Sequence, residues 1–172
     1  MTLMPVSNSS PLIHLSRLGK LSYAKRAFPS IMIPPAVRYE TVERGRSEGY
    51  ADAFPLEELE KDGWLRTTQL SRKSSSLAER LFTVVGEGEA QAIALALEKK
   101  ERLFLDDLKG RRMAESYRIE TTTTLGIIFE LFAKGFLPQT DYVRNVKNYG
   151  SRGWISGDVI QEFIEKGAEI VR

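Results

Sequence analysis

Short apolar runs separated by longer polar or helix-periodic stretches set the rhythm of this chain. Leu3 to Val6 is the first such run, and it stops at Asn8-Ser9-Ser10-Pro11, where cap residues and a proline suited to a first helical turn precede Leu12, Ile13 and Leu15. That pattern predicts a strand passing into a helix. The same event recurs at Ile31-Met32-Ile33, where Pro34-Pro35 leads into a helix carrying Val37, Glu40, Thr41 and Glu43. A third strand, Trp64 to Thr68, follows the turn residues Lys61-Asp62-Gly63, and a fourth, Leu103-Phe104-Leu105, ends abruptly in Asp106-Asp107. The clearest helix lies between them, from Glu89 to Lys99, with Ala90, Ile93, Ala94 and Leu97 on one stripe.

Beyond the fourth strand, Leu125 to Phe132 is apolar, Asp141 to Tyr149 reads as a polar helix, and Ser151-Arg152-Gly153 reads as a turn. Val159, Ile160, Phe163 and Ile164 then mark a last amphipathic helix. Strands alternating with helices imply parallel pairing, so the expected fold is α/β with a short, mostly parallel central sheet. Ser74-Ser75-Ser76 is expected to be a mobile loop. There is no internal repeat and no low-complexity tract.

Length fits one domain: 172 residues suffice to bury roughly two thirds of the unfolded surface around a single core. The expectation is a single domain over 1–172, with 151–172 forming a C-terminal amphipathic helix packed on it. Lys and Arg total 25 against 23 Asp and Glu, a net charge of +2. This is not the strongly basic balance of a protein that coats nucleic acid, so any such contact must come from local patches. The N-terminal residues lack the basic region of a signal peptide, and the apolar stretch Gly126 to Phe136 is too short to span a bilayer. A soluble, cytoplasmic protein without membrane attachment is expected.

The chain has no cysteine and one histidine, so a metal would be held by oxygen ligands or by His14, which puts hard cations such as Mg²⁺ or Mn²⁺ first. In an open parallel sheet, ligands bind beyond the carboxyl ends of the strands. Asn8 follows the first strand, Glu40 lies a turn beyond the second, Asp106 and Asp107 follow the fourth, and Gly86-Glu87-Gly88-Glu89 opens the helix before it. Together these could converge on one crevice suited to a divalent cation. Each also has a structural reading. Glu87 and Glu89 complement a helix dipole, Asp106 or Asp107 caps the next helix, and Asn8, Ser9 and Ser10 are ordinary cap residues. Glu40 is a solvated charge and His14 a packed or hydrogen-bonded histidine. Lys109, Arg111 and Arg112 would set cations beside the acids to hold a phosphodiester, or form a solvated helix face. Thr121 to Thr124 cap the following helix or bind a phosphate.

Three runs taken together resemble a branch of the PIN-domain family: Val6-Ser7-Asn8-Ser9-Ser10-Pro11-Leu12-Ile13, Gly88-Glu89-Ala90-Gln91-Ala92-Ile93-Ala94-Leu95-Ala96, and Leu105-Asp106-Asp107-Leu108-Lys109-Gly110-Arg111-Arg112-Met113-Ala114. Thr124-Leu125-Gly126 and Gly135-Phe136 extend the likeness. The resemblance implies a three-layer α/β/α domain whose acidic residues bind Mg²⁺ or Mn²⁺ and cleave RNA, commonly as a toxin neutralised by a small co-expressed antitoxin. Carried over residue by residue, it assigns catalytic roles to Glu40, Glu89, Asp106 and Asp107, with Asn8, Glu89 and Asp107 as metal ligands. Ser10, Lys109, Arg111, Arg112 and Thr124 become candidate RNA contacts. RNA, a small cognate antitoxin and a second copy of the chain are the candidate partners. Two positions depart from the family pattern. Asn8 stands where the catalytic pattern has aspartate, which removes one negative charge, and Thr123 stands where a glycine is common. The alternative within the same resemblance is a non-catalytic module that binds RNA or a partner protein.

Overall fold

The computed structural model describes residues 4–152 and 155–170. Its centre is a five-stranded sheet in the order β3-β2-β1-β4-β5, formed by β1 (Val6–Ser7), β2 (Ile31–Ile33), β3 (Leu65–Thr67), β4 (Leu103–Phe104) and β5 (Thr121–Thr122). Every pairing is parallel, with Val6 opposite both Met32 and Leu103, and Leu103 opposite Thr121. The expected sheet was mostly parallel with four strands. The fifth strand is a pair of half-buried threonines, which gave no apolar signal. Of the first expected strand, Leu3 lies outside the described residues and the ladder begins at Val6.

Parallel strands buried on both faces explain why the runs are apolar throughout rather than alternating. The period of two survives in the direction each side chain takes. Ile31, Ile33 and Phe104 enter one core, together with Leu12, Leu15, Val37, Leu56, Leu125, Ile128 and Tyr142. Val6, Met32, Leu103 and Leu105 enter the other, with Leu77, Leu81, Ala90, Ile93 and Ala94. Helices cover both faces, which makes three layers. One face carries α1 (Ser9–Arg17), α2 (Leu21–Ala27), α9 (Thr124–Ala133) and α10 (Gln139–Ser151). The other carries α6 (Arg72–Phe82), α7 (Glu87–Lys99) and α8 (Leu108–Ser116). The fully buried Leu, Ile and Phe side chains of these cores each stabilise by about 1.5–3 kcal/mol relative to exposure.

Between β2 and β3 the chain forms α3 (Pro35–Arg38), a π-helical turn (Tyr39–Glu43), α4 (Arg44–Ser47) and α5 (Ala53–Lys61). Ser74-Ser75-Ser76 is helical rather than a mobile loop. The three serines sit in the first turns of α6, where the Ser71 hydroxyl caps the helix by accepting from the Ser74 amide at 3.2 Å. The stripe Leu77, Ala78 and Leu81 is buried on α7 and outweighs the weak helix propensity of serine. α10 is followed by a turn at Arg152; Gly153, the end of the expected turn, lies outside the described residues. α11 (Gly157–Ile170) leans on α9 and α10 through Val159, Ile160, Phe163 and Ile164, and the Tyr142 hydroxyl donates to the Phe163 carbonyl at 2.5 Å.

Candidate functional site

β1 and β4 lie side by side, so Asn8 and the segment 105–107 leave the sheet as neighbours. The Asn8 amide donates to the Phe104 carbonyl at 3.0 Å, which carries the ladder to the edge of the sheet. Four helices then start at this pole: α1 after Asn8, α7 after Gly86, α8 after Asp107 and α9 after Thr123. Their N-terminal amides favour negative charge there. Asn8 holds the extended backbone of an N-cap, yet its side chain makes no capping hydrogen bond. Its Oδ1 is buried and has no hydrogen-bond partner. A buried acceptor left unpaired costs about 1–3 kcal/mol, and the helix does not use this oxygen.

Glu40 comes from the π-helical turn, which inserts an extra residue per turn and re-aims the side chains behind it. Its carboxylate accepts from the Ser9 hydroxyl. It also lies against α7 at Gly88, where a Cβ would stand 2.7–3.0 Å from the carboxylate atoms of Glu40. Only glycine permits that approach. One residue on, Glu89 accepts the Gly86 amide at 3.3 Å, and its pKa is raised, first by burial and then by the negative charge of Asp107, with Glu40 adding to it. The Gly86 amide and the Lys109 charge act in the opposite direction without prevailing. Asp107 caps α8 by accepting the Gly110 amide at 2.7 Å. Gly110 packs against Leu105 and within 3.5 Å, from a virtual Cβ, of the Glu89 carboxylate. Glu40, Glu89 and Asp107 therefore share one electrostatic neighbourhood, with Asn8 and Ser9 at the start of α1 beside it.

Asp106 points elsewhere. Its Oδ1 accepts the Thr124 amide at 2.7 Å, its Oδ2 accepts the Thr124 hydroxyl at 2.8 Å, and Nδ1 of His14 lies 3.0 Å from Oδ2. His14 in turn stands 3.3 Å from the Tyr149 hydroxyl, with the rings edge to face. Burial, and next the Asp106 charge, push the Tyr149 hydroxyl well above the usual tyrosine range. This network ties α1, α9 and α10 to the end of β4. Thr124, expected to touch RNA, is fully buried and committed to Asp106, and the cap of α9 is supplied by Thr123, whose hydroxyl accepts the Gly126 amide. Ser10 is half-buried on the first turn of α1. Lys109 and Arg112 are exposed on α8 beside the acids, while the Nε of half-buried Arg111 is enclosed without a partner.

Sequence reading overlooked Ser9, Gly88 and Gly110. From sequence Ser9 reads only as a cap; the other two carry no chemistry, and their meaning lies in how closely Glu40 and Leu105 approach. Among the described residues, no three His, Asp or Glu side chains are already drawn together closely enough to cage a metal ion. The donor set nevertheless suits a hard cation: carboxylates from three elements, an orphaned amide oxygen and no sulfur. A hollow of about 400 Å³, lined by Pro35, Leu70, Phe82, Glu87 and Gln91, lies along α6 and the start of α7, and none of Asn8, Glu40, Glu89 and Asp107 lines it. No helix among the described residues is long and apolar enough to cross a membrane.

No curated protein matches the chain. A family model described as PIN domain matches residues 4–169, nearly the whole sequence and every element that builds the acidic pole. With its all-parallel sheet between two helical layers, the chain belongs to the PIN-domain family.

Proposed function

We propose that this protein is a Mg²⁺- or Mn²⁺-dependent endoribonuclease acting in the cytoplasm, the toxin half of a toxin–antitoxin pair. The observation that carries the reading is the convergence of Glu40, Glu89 and Asp107 on one pole beside the unpartnered Oδ1 of Asn8. Burial, and next the negative charge of Asp107, hold a proton on Glu89 more tightly than on a free glutamate, and a divalent cation would replace that proton. Asn8, Glu89 and Asp107 would hold the ion, with Glu40 oriented by Ser9 to accept a proton from the attacking water. When bound, the cation would lower the pKa of that water and balance charge on the scissile phosphate. Lys109, Arg111 and Arg112 on α8 would fix the phosphodiester next to the acids. Asp106 holds the start of α9 and His14 in place below the cluster.

A labelled RNA incubated with Mn²⁺ should be cleaved, and cleavage should stop with chelator. The Glu89→Gln/Asp107→Asn variant should lose at least about 100-fold in rate, the scale at which positioned charge acts in catalysis. Undiminished cleavage by that variant would overturn the reading. Asn8 in place of a charged ligand favours a second reading, a PIN module that binds RNA or a partner protein without cutting. RNA binding with no cleavage in either metal would select it. Growth arrest on expression alone, relieved by a small protein encoded beside it, would support the toxin assignment.

A further inference from the structure

Pro34 and Pro35 open the helix beyond β2 and carry no amide hydrogen, so Ala36 bears the first orphan donor of α3. The cap residue is itself a proline and has no side chain that could accept it. The acceptor comes from α7. Oε1 of Gln91 takes the Ala36 amide at 3.0 Å, while Nε2 of the same side chain lies 3.5 Å from Oε1 of Glu87, so both ends of the amide face a matching group. Glu40 stands one turn on from Ala36, and one turn back from Gln91 stands Gly88, the glycine against which the Glu40 carboxylate lies. The two helices thus meet at two points, four residues on along one and three residues back along the other, and the first contact sets the register of the second.

The far end of this helical stretch is fixed as well. Gly45 on α4 lies so close to α5 that a Cβ there would stand 3.0 Å from the Ala53 methyl, and its carbonyl accepts the Tyr50 amide at 2.8 Å. Between the two anchors the chain has one residue more than an α-helix would use. The excess is taken up at Tyr39–Glu43, where the Arg44 amide reaches the Tyr39 carbonyl five residues back, and Glu40 lies inside that turn. Were the Gln91 anchor released, the extra residue could pass out through the start of α3. Everything ahead of the turn would then rotate against α4 by about 100°, the angle of one helical residue, and Glu40 would leave Ser9 and Gly88. α3 itself would stay attached through Val37, which is fully buried, and through Arg38, whose Nε donates to Glu60 at 2.6 Å.

We infer that Gln91 is a positioning residue for Glu40: by accepting the Ala36 amide it fixes the register of α3 on α7, keeps the π-helical turn where it is, and so aims the Glu40 carboxylate at Ser9 and the acidic pole. It acts through Glu40 alone. The catalytic consequence rests on the ribonuclease reading of Glu40, whereas the placement of Glu40 by Gln91 does not.

The first measurement needs neither RNA nor metal. Ser9 on α1 and Gln91 on α7 are joined through Glu40, so their substitutions should not add. In urea unfolding with chelator present, the stability lost through Ser9→Ala should shrink to about half or less when Gln91→Met, which keeps the length but offers no amide oxygen, is already in place. Gln91→Asn, a methylene too short to reach Ala36, should shrink it likewise and stands in should Gln91→Met fail to fold. The second measurement is cleavage of a labelled RNA in Mn²⁺. Gln91→Met should lower kcat about 10-fold with KM within about twofold of wild type, the pattern of a reacting group moved out of line. Gln91→Glu keeps an acceptor oxygen for Ala36, at the expense of the contact with Glu87, and should retain kcat within about threefold. A role confined to packing would lower the unfolding midpoint of Gln91→Met and leave kcat untouched. An undiminished Ser9→Ala loss in the Gln91 variants would overturn the inference, as would full kcat in Gln91→Met beside an active wild type. Should the wild type cut no RNA in Mg²⁺ or Mn²⁺ while the Ser9→Ala loss still shrinks, the nuclease reading falls and the positioning of Glu40 by Gln91 stands.

Discussion

Two adjacent aspartates with different surroundings give the sharpest contrast at the scale of single residues. Sequence alone leaves Asp106 and Asp107 as interchangeable candidates. In the fold, Asp106 accepts two hydrogen bonds from Thr124 and faces His14, whereas Asp107 caps α8 and adds to the charge felt by Glu89. Asp106→Asn would turn an amide group toward the Thr124 donors and should cost about 2–3 kcal/mol of stability by urea unfolding. Asp107→Asn should change stability by less than about 0.5 kcal/mol, because Asn caps as well as Asp, while weakening Mn²⁺ binding. Equal effects of the two on unfolding would refute the division. Asn8 admits a cleaner test still, since its side chain makes no cap and its Oδ1 has no partner. Asn8→Asp adds a charge at almost constant volume and should raise Mn²⁺ affinity in calorimetry, as ligand charge tunes hard-cation sites. Unchanged affinity would remove Asn8 from the site. That Asn8 and Asp107 would leave the sheet side by side was legible because strand ends are where an α/β sheet places its chemistry, while Glu40 and Glu89 were drawn to them with the help of the family resemblance. Ser9 was not legible, because the partner of its hydroxyl depends on the register of a π turn more than thirty residues away.

Elements that bury an apolar run could be read directly, and those held by polar contacts or neighbours could not. β2 and β4 announce themselves as Ile31-Met32-Ile33 and Leu103-Phe104, while β5 is two threonines that pair because β4 offers an edge. α7 was expected from Glu89 and begins at Glu87, since its first turn contains Gly88, a residue chosen for space rather than for helix propensity. The role of that glycine is testable. Gly88→Ala would gain up to about 1 kcal/mol of helix propensity, yet its Cβ would fall 2.7–3.0 Å from the Glu40 carboxylate and push it from the cluster. Stability should therefore stay within about 1 kcal/mol of wild type, whereas RNA cleavage should fall at least about tenfold, equivalent to about 1.4 kcal/mol. A variant with full activity would mean that Glu40 does not need its observed position.

For the whole molecule, the acidic pole is a local cost that a cation would reverse, so pH and metal should act on stability in opposite senses. Glu89 has a folded-state pKa raised above the ordinary 4.5 by burial and by Asp107. The folded protein thus holds this proton more tightly than the unfolded chain. The contribution favours folding fully below about 4.5, the unfolded value, and is lost as pH rises through the higher folded value. Metal-free protein should lose stability across that window. A divalent cation needs the carboxylate, so in saturating Mn²⁺ the slope across the same window should turn upward as metal replaces proton. Near neutral pH, metal at about 100 times its Kd adds about 2.7 kcal/mol, which for a domain of this size raises Tm by about 5–10 °C. Glu89→Gln keeps the acceptor for the Gly86 amide but removes the titration, so it should flatten the metal-free slope and abolish most of the metal-induced rise in Tm. Parallel slopes with and without Mn²⁺, measured by thermal unfolding from pH 4 to pH 8, the range in which a perturbed carboxylate titrates, would show that the carboxylates of the pole do not bind metal.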